Sequence, residues 1–249
     1  MNIVFLSAVL PVAVLLWFVY RRDRLHPEPL GKLLLTFLAG CFSVVPAAAM
    51  EALLSAFGPG LPVLDGLYNG FVVAGLSEEL CKLVLLMLVV WRSPHFDEYF
   101  DGIVYAVYLS LGFACVENVM YVYSSTDALA TALMRGLLAV PAHFLFAVTM
   151  GYHLSLAKFD PSDRSRHLFH ALFYPLLLHG TYDALLMVGE GLGDTPGGLA
   201  VRGVLMVAFI VFDVQMWRWG IRRIKRMQER SQEQDFDPSN PFEGFTWNV

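Results

Sequence analysis

Charged side chains are scarce in this sequence. Asp, Glu, Lys and Arg make up 16% of the 249 residues, against about 25% in soluble domains. With 57% hydrophobic residues and a mean hydropathy of +0.56, that shortage excludes an ordinary soluble domain. Cysteine is scarce too. Cys41, Cys81 and Cys115 all fall in apolar runs, odd in number and without paired spacing. A disulfide framework is therefore excluded, and with no Cys-x-x-Cys so is a cysteine-based zinc site; small buried thiols is the plain reading. The N-terminal run lacks a basic leader and a small-residue cleavage site, so it reads as a retained anchor, not a signal peptide. No segment repeats another, which removes the signature of an inverted-repeat transporter. The net charge of −5 says little, because placement matters more than the sum in a membrane protein. No nucleic-acid partner is expected.

What the chain has instead is a series of apolar blocks of bilayer-crossing length. They predict an all-α, polytopic transmembrane bundle of about seven spans: 2–20, 30–57, 67–91, 102–123, 141–158, 167–188 and 199–219. Residues 128–159 are too long for one upright span, and Pro141 divides them into a short helix (128–138) and the fifth span. Residues 1–220 form the membrane-embedded domain. Residues 221–249 form a cytoplasmic tail, basic at first and then polar, acidic and disordered beyond about Gln232. Lys and Arg fix the orientation. With the N-terminus outside, the cytoplasmic set is Arg21, Arg22, Arg24, Lys32, Arg92, Lys158, Arg164, Arg166 and the six from Arg218 to Arg230; the outer set is Arg135 and Arg202. That asymmetry satisfies the positive-inside rule. The expected location is a bacterial cell membrane.

Lys82 is left within the membrane, in Glu78-Glu79-Leu80-Cys81-Lys82. Each such ionisable group costs about 2.5–3.5 kcal/mol at the centre of an inserted helix. Glu78 and Lys82 are four apart in the favourable order, and Glu79 is three from Lys82. The two acids stand about 100° apart around the helix, so one is expected to pair with Lys82 while the other faces a cavity. The fourth span carries Phe113 and Glu117-Asn118, the fifth Pro141-Ala142-His143, and the sixth His179 and Asp183 at helical spacing. His153 and His170 read as structural and His167 as interfacial. Glu51, Arg135 and Asp213 fall near helix ends, where they can reach headgroups.

Depth connects these groups. Alternating spans bring Glu78, Glu79, Glu117, His143, His179 and Asp183 into one slab, from the midplane outward. The cytoplasmic halves read as apolar. Structural polar groups have no reason to agree in depth, so the slab predicts one water-accessible site. A transporter or proton-coupled channel is the rival class, and it requires a polar path to both faces. A non-catalytic immunity or binding protein is the third.

At these residues the chain resembles the PrsW family of intramembrane proteases, relatives of the Abi and CAAX-processing endopeptidases. The family pattern is Glu-Glu-x-x-Lys, Phe-x-x-x-Glu-Asn, Pro-x-His and His-x-x-x-Asp, and all four occur in order between Leu67 and Val188. The CAAX relatives have His at the position of Glu117 and Asn at that of Asp183. The resemblance implies hydrolysis of a single-span, membrane-anchored protein, and first-site cleavage of an anti-sigma factor.

Amide hydrolysis needs an activated water, an electrophile for the carbonyl oxygen and a proton donor for the amine. Glu78 or Glu79 is the candidate base. Glu117, His143 and His179 are candidate zinc ligands, with Asp183 as a fourth or as the group orienting His179. A metal-free route, with the histidines and Asn118 facing the oxyanion, stands beside it. Lys82 and Phe113 are supporting residues.

Overall fold

The computed structural model describes residues 3–23 and 26–235. It is helical, with no strand among the described residues. In chain order the helices are α1 (Ile3–Arg22), α2 (Leu30–Leu54), α3 (Pro62–Tyr68), α4 (Ser77–Val90), α5 (Asp101–Ser124), α6 (Ala128–Leu137), α7 (Ala139–Phe159), α8 (Arg164–Glu190) and α9 (Pro196–Asp235). Pro141 sits in the first turn of α7, where its missing N–H leaves no helical bond unmade. Six helical stretches among the described residues are long and apolar enough to cross a membrane. The molecule is a multi-pass integral membrane protein.

The stretch bearing the Glu pair is not one of those six, because it is assembled from pieces. α3 leads into a π-helical segment, Asn69–Leu76, which leads into α4. Backbone angles stay helical at both junctions, so the path runs unbroken from Pro62 to Val90. This helix was expected to begin near Leu67; Pro62, well placed as a first helical residue, starts it earlier. The π segment ends immediately before Ser77-Glu78-Glu79. Such wide turns are rare and frequently occur at functional sites.

α5 and α7 form the centre. α7 is buried at almost every position from Val140 to Ala157, and α5 from Asp101 to Ala114. α1, α2 and α9 surround them and turn Trp17, Phe42, Val45, Val207 and Ile210 outward, as lipid-facing helices do. In lipid, helices associate by close packing, which small residues permit. A Cβ added at Gly40 would run into the Leu109 backbone, one at Gly112 into the Phe37 carbonyl, and one at Gly151 into the Gly102 carbonyl. These contacts draw α2 and α7 onto α5.

α9 is 40 residues long, or about 60 Å at 1.5 Å per residue, twice a bilayer's hydrocarbon thickness. It continues without a break past residue 220 and through the basic run. Its final turns are docked: the Phe100 N–H donates to Ser231 Oγ at 2.8 Å and Gln234 Nε2 donates to the Asp97 carbonyl at 2.7 Å. The tail from 236 onward, with Asn240-Pro241-Phe242, lies outside the described residues, as does Arg24.

Candidate active site

Lys82 is the hub. Its side chain is fully buried, and its ammonium uses all three donors: to Glu78 Oε2 at 2.9 Å, to Glu79 Oε1 at 2.9 Å and to His143 Nδ1 at 3.1 Å. The Phe113 ring lies 4.1 Å from the ammonium and closes its remaining side as a cation–π partner. The expected division, one Glu for Lys82 and one for the cavity, is therefore corrected. Both acids bind Lys82, because the long lysine side chain reaches carboxylates at i−3 and i−4 together. They differ in access: Glu78 lines the cavity, whereas Glu79 is fully buried behind it.

His179, on α8, faces a carboxylate through each ring nitrogen. Nδ1 is 2.9 Å from Glu79 Oε1, and Nε2 is 3.3 Å from Asp183 Oδ2 and 4.0 Å from Glu78 Oε1. Phe146 stacks on the ring at 4.8 Å between centroids. His143 meets His179 edge-on at 5.5 Å. With Lys82 donating to Nδ1, His143 carries its proton on Nε2 and donates to Glu117 Oε2 at 2.8 Å. α8 reaches the Glu pair because Gly180, Gly70 and Gly75 pack backbone against backbone there; a Cβ at Gly70 would lie 2.8 Å from the Ala184 nitrogen.

Glu117 belongs to a second layer. Arg135 Nη2 binds its Oε2 at 3.0 Å. It is not among the residues whose donor atoms converge; those are Glu78, Glu79, His143 and His179, all buried, with one atom from each within 4.8 Å of the others. Asn118 is committed elsewhere. Its Nδ2 donates to the Ala8 carbonyl at 2.6 Å and its Oδ1 accepts from Arg135 Nε at 3.0 Å, so it ties α1 to α5 and aims Arg135.

These residues form one wall of a cavity of about 1280 Å³, whose lining also includes Glu51, Tyr182 and Asp183. The cavity extends to Asp65 on α3, Met134 on α6, and Ser124 and Glu190 at the ends of α5 and α8. Arg135 and Glu51, expected at the headgroups, stand on this cavity instead. The clue to Arg135 was Glu117 itself, an acid needing a cation at a depth where the chain offers few.

The donor set suits zinc: two imidazoles and two carboxylates. Glu79 Oε2 is buried without a hydrogen-bond partner among the described residues. Among the described residues the permanent cations paired with these acids are Lys82, with Glu78 and Glu79, and Arg135, with Glu117.

The other half of the bundle is not the apolar region expected. His153, His167 and His170 gather there, and so do Asp23, Glu98 and Asp101. Each group joins two residues three apart in sequence to one from a distant segment, His153 or Asp23, which local spacing could not bring to them. An apolar layer still intervenes. Along α5, Val107, Leu109 and Leu111, all buried, separate Tyr105 from Phe113.

Acids, imidazoles and a buried ammonium gathered at a cavity within membrane-crossing helices are the features of an intramembrane enzyme. Residues 28–214 match the model of the PrsW family intramembrane metalloprotease. The chain is 34% identical to "Protease PrsW" of Clostridioides difficile, over 92% of this chain and 93% of that protein. It is 33% identical to "Protease PrsW" of Geobacillus kaustophilus (93% and 95%) and to that of Bacillus subtilis (88% and 93%). No solved structure matches. The chain belongs to the PrsW family and is an intramembrane protease of the bacterial cell membrane.

Proposed function

We propose that this protease cleaves a single-span membrane protein, with Glu78 as the base that activates water. The observation that carries the reading is access. Glu78 lines the cavity next to His143 and His179, while Glu79 is sealed behind it.

In this mechanism a water in the cavity attacks the scissile carbonyl carbon as Glu78 takes its proton. That proton passes by way of His179 Nε2, near Glu78 Oε1, to the amide nitrogen. The C–N bond then breaks to a carboxylic acid and an amine. Glu79, at His179 Nδ1, fixes which ring nitrogen faces the cavity, the part a carboxylate plays behind a catalytic histidine. Lys82 holds both acids in place. The Arg135–Glu117 pair holds His143. In the metal-bound alternative Glu78, Glu79, His143 and His179 would hold zinc as ligands, in place of the acid–base roles given above to Glu78 and His179. When bound, the ion supplies Lewis acidity toward water and toward the carbonyl.

The cavity mouth is assigned to the outer face. Arg135 and Arg202 are at that end, and the remaining described Lys and Arg outside the membrane are at the other, which supports seven spans with the N-terminus outside. An anti-sigma factor is the substrate that the family resemblance suggests, anchored so that its outer segment enters the cavity. The test is co-expression with tagged single-span membrane proteins, anti-sigma factors included. A fragment that forms with the wild type and not with Glu78→Gln supports the reading. The same fragment with both proteins would refute it.

A further inference from the structure

At the end of the bundle opposite the cavity, four acids are buried together. Asp23 follows α1, Glu28 precedes α2, Glu98 lies in the loop before α5, and Asp101 opens α5. Each is at most 4% exposed. One oxygen from each of Asp23, Glu98 and Asp101 lies within 4.8 Å of the others.

Some of their oxygens are explained by the chain. Asp23 Oδ2 accepts from the Glu28 N–H at 3.0 Å. Asp101 Oδ2 accepts from the N–H groups of Asp97 and Glu98, at 3.0 and 2.7 Å. Glu28 accepts from the Tyr105 hydroxyl. Three others are not explained. Asp23 Oδ1, Glu98 Oε2 and Asp101 Oδ1 are buried without a hydrogen-bond partner among the described residues. Buried polar oxygens are normally satisfied, and each exception calls for a reason. Among the described residues the basic group nearest the cluster is the exposed His26, whose Nδ1 stands 3.7 Å from that Glu98 oxygen, beyond hydrogen-bond distance, and 3.4 Å from Asp235.

From this geometry we infer that Asp23, Glu98 and Asp101 form a binding site for a divalent cation with a preference for oxygen ligands. Carboxylate oxygens with no nitrogen or sulfur among them suit Ca²⁺, Mg²⁺ or Mn²⁺. Backbone amides hold one oxygen of Asp23 and of Asp101 and leave the second free, as a prearranged ligand requires. Burial pushes Asp23 up to about 6, and Glu28 and Glu98 up to about 7, the electrostatic cost that a bound cation would cancel. The site lies beside the docked end of α9, because Ser231 and Gln234 bind the Phe100 amide and the Asp97 carbonyl. Cation binding therefore braces the α1–α2 connection, the loop before α5 and the α9 terminus together.

The experiment is Mn²⁺ titration of the purified full-length protein in detergent at neutral pH, followed by the loss of the free Mn²⁺ paramagnetic signal. Saturable binding is expected in the wild type and in Glu78→Gln. Affinity should fall at least tenfold in Glu98→Gln and in Asp23→Asn; the latter keeps an oxygen for the Glu28 amide. Ca²⁺ or Mn²⁺ should raise the melting temperature of the wild type but not of these two variants. Absence of saturable binding at millimolar Mn²⁺ would overturn the inference. So would binding that Glu78→Gln abolishes and Glu98→Gln leaves intact.

Discussion

Glu78 and Glu79 are neighbours of one residue type with different tasks, because one reaches the cavity and the other does not. Glu78→Gln should reduce the cleavage rate by roughly 10²–10⁴-fold, the range for a lost general acid–base group, with little change in melting temperature. Lys82→Ala should instead fail in stability. It strands two buried carboxylates, and removing one partner of a buried pair costs about 3–5 kcal/mol; thermal unfolding in detergent measures this. Arg135→Ala should lower activity about 10–100-fold, the usual effect of removing a supporting partner, and Arg135→Lys should restore part of it. Equal activity in Arg135→Ala would detach the Arg135–Glu117 pair from the site. The motif residues were legible because an acid or imidazole in an apolar span stands out. Arg135 was not, since near a helix end a cation has an ordinary use. Nor could spacing say that Asn118 turns away toward Ala8.

Among the elements, the helix of the Glu pair is the unusual one. Its apolar length was readable, but the π segment Asn69–Leu76 was not: no residue pattern separates a π turn from an α turn in so apolar a stretch. The tight helix contacts were equally hidden, because a glycine in a span does not name the backbone it meets. Gly151→Ala drives a Cβ into the Gly102 carbonyl. It should destabilise the α5–α7 centre by about 1–3 kcal/mol, as overpacking does, seen as a lower melting temperature. Gly31→Ala, with nothing near its Cβ position, is the control and should leave that temperature unchanged.

For the whole molecule, the bundle keeps two polar regions apart across an apolar layer, one at the cavity and one at the far end. The sequence located the first by depth; it missed the second because Asp23, Glu98 and Asp101 lie in or beside loops, where acids are ordinary. If zinc sits among Glu78, Glu79, His143 and His179, a chelator should stop cleavage and added zinc should restore it. His143→Ala and His179→Ala should then lose the metal, measured by elemental analysis; retention of stoichiometric zinc in both would remove the ion from this cluster. The most direct measurement of the assigned chemistry is the rate at which purified protein in lipid vesicles cleaves a co-reconstituted single-span substrate, wild type beside Glu78→Gln. The expected result is cleavage by the wild type and a loss of at least 100-fold, the lower end for a general base, in a variant that melts at the wild-type temperature. Equal rates from the two proteins would contradict it.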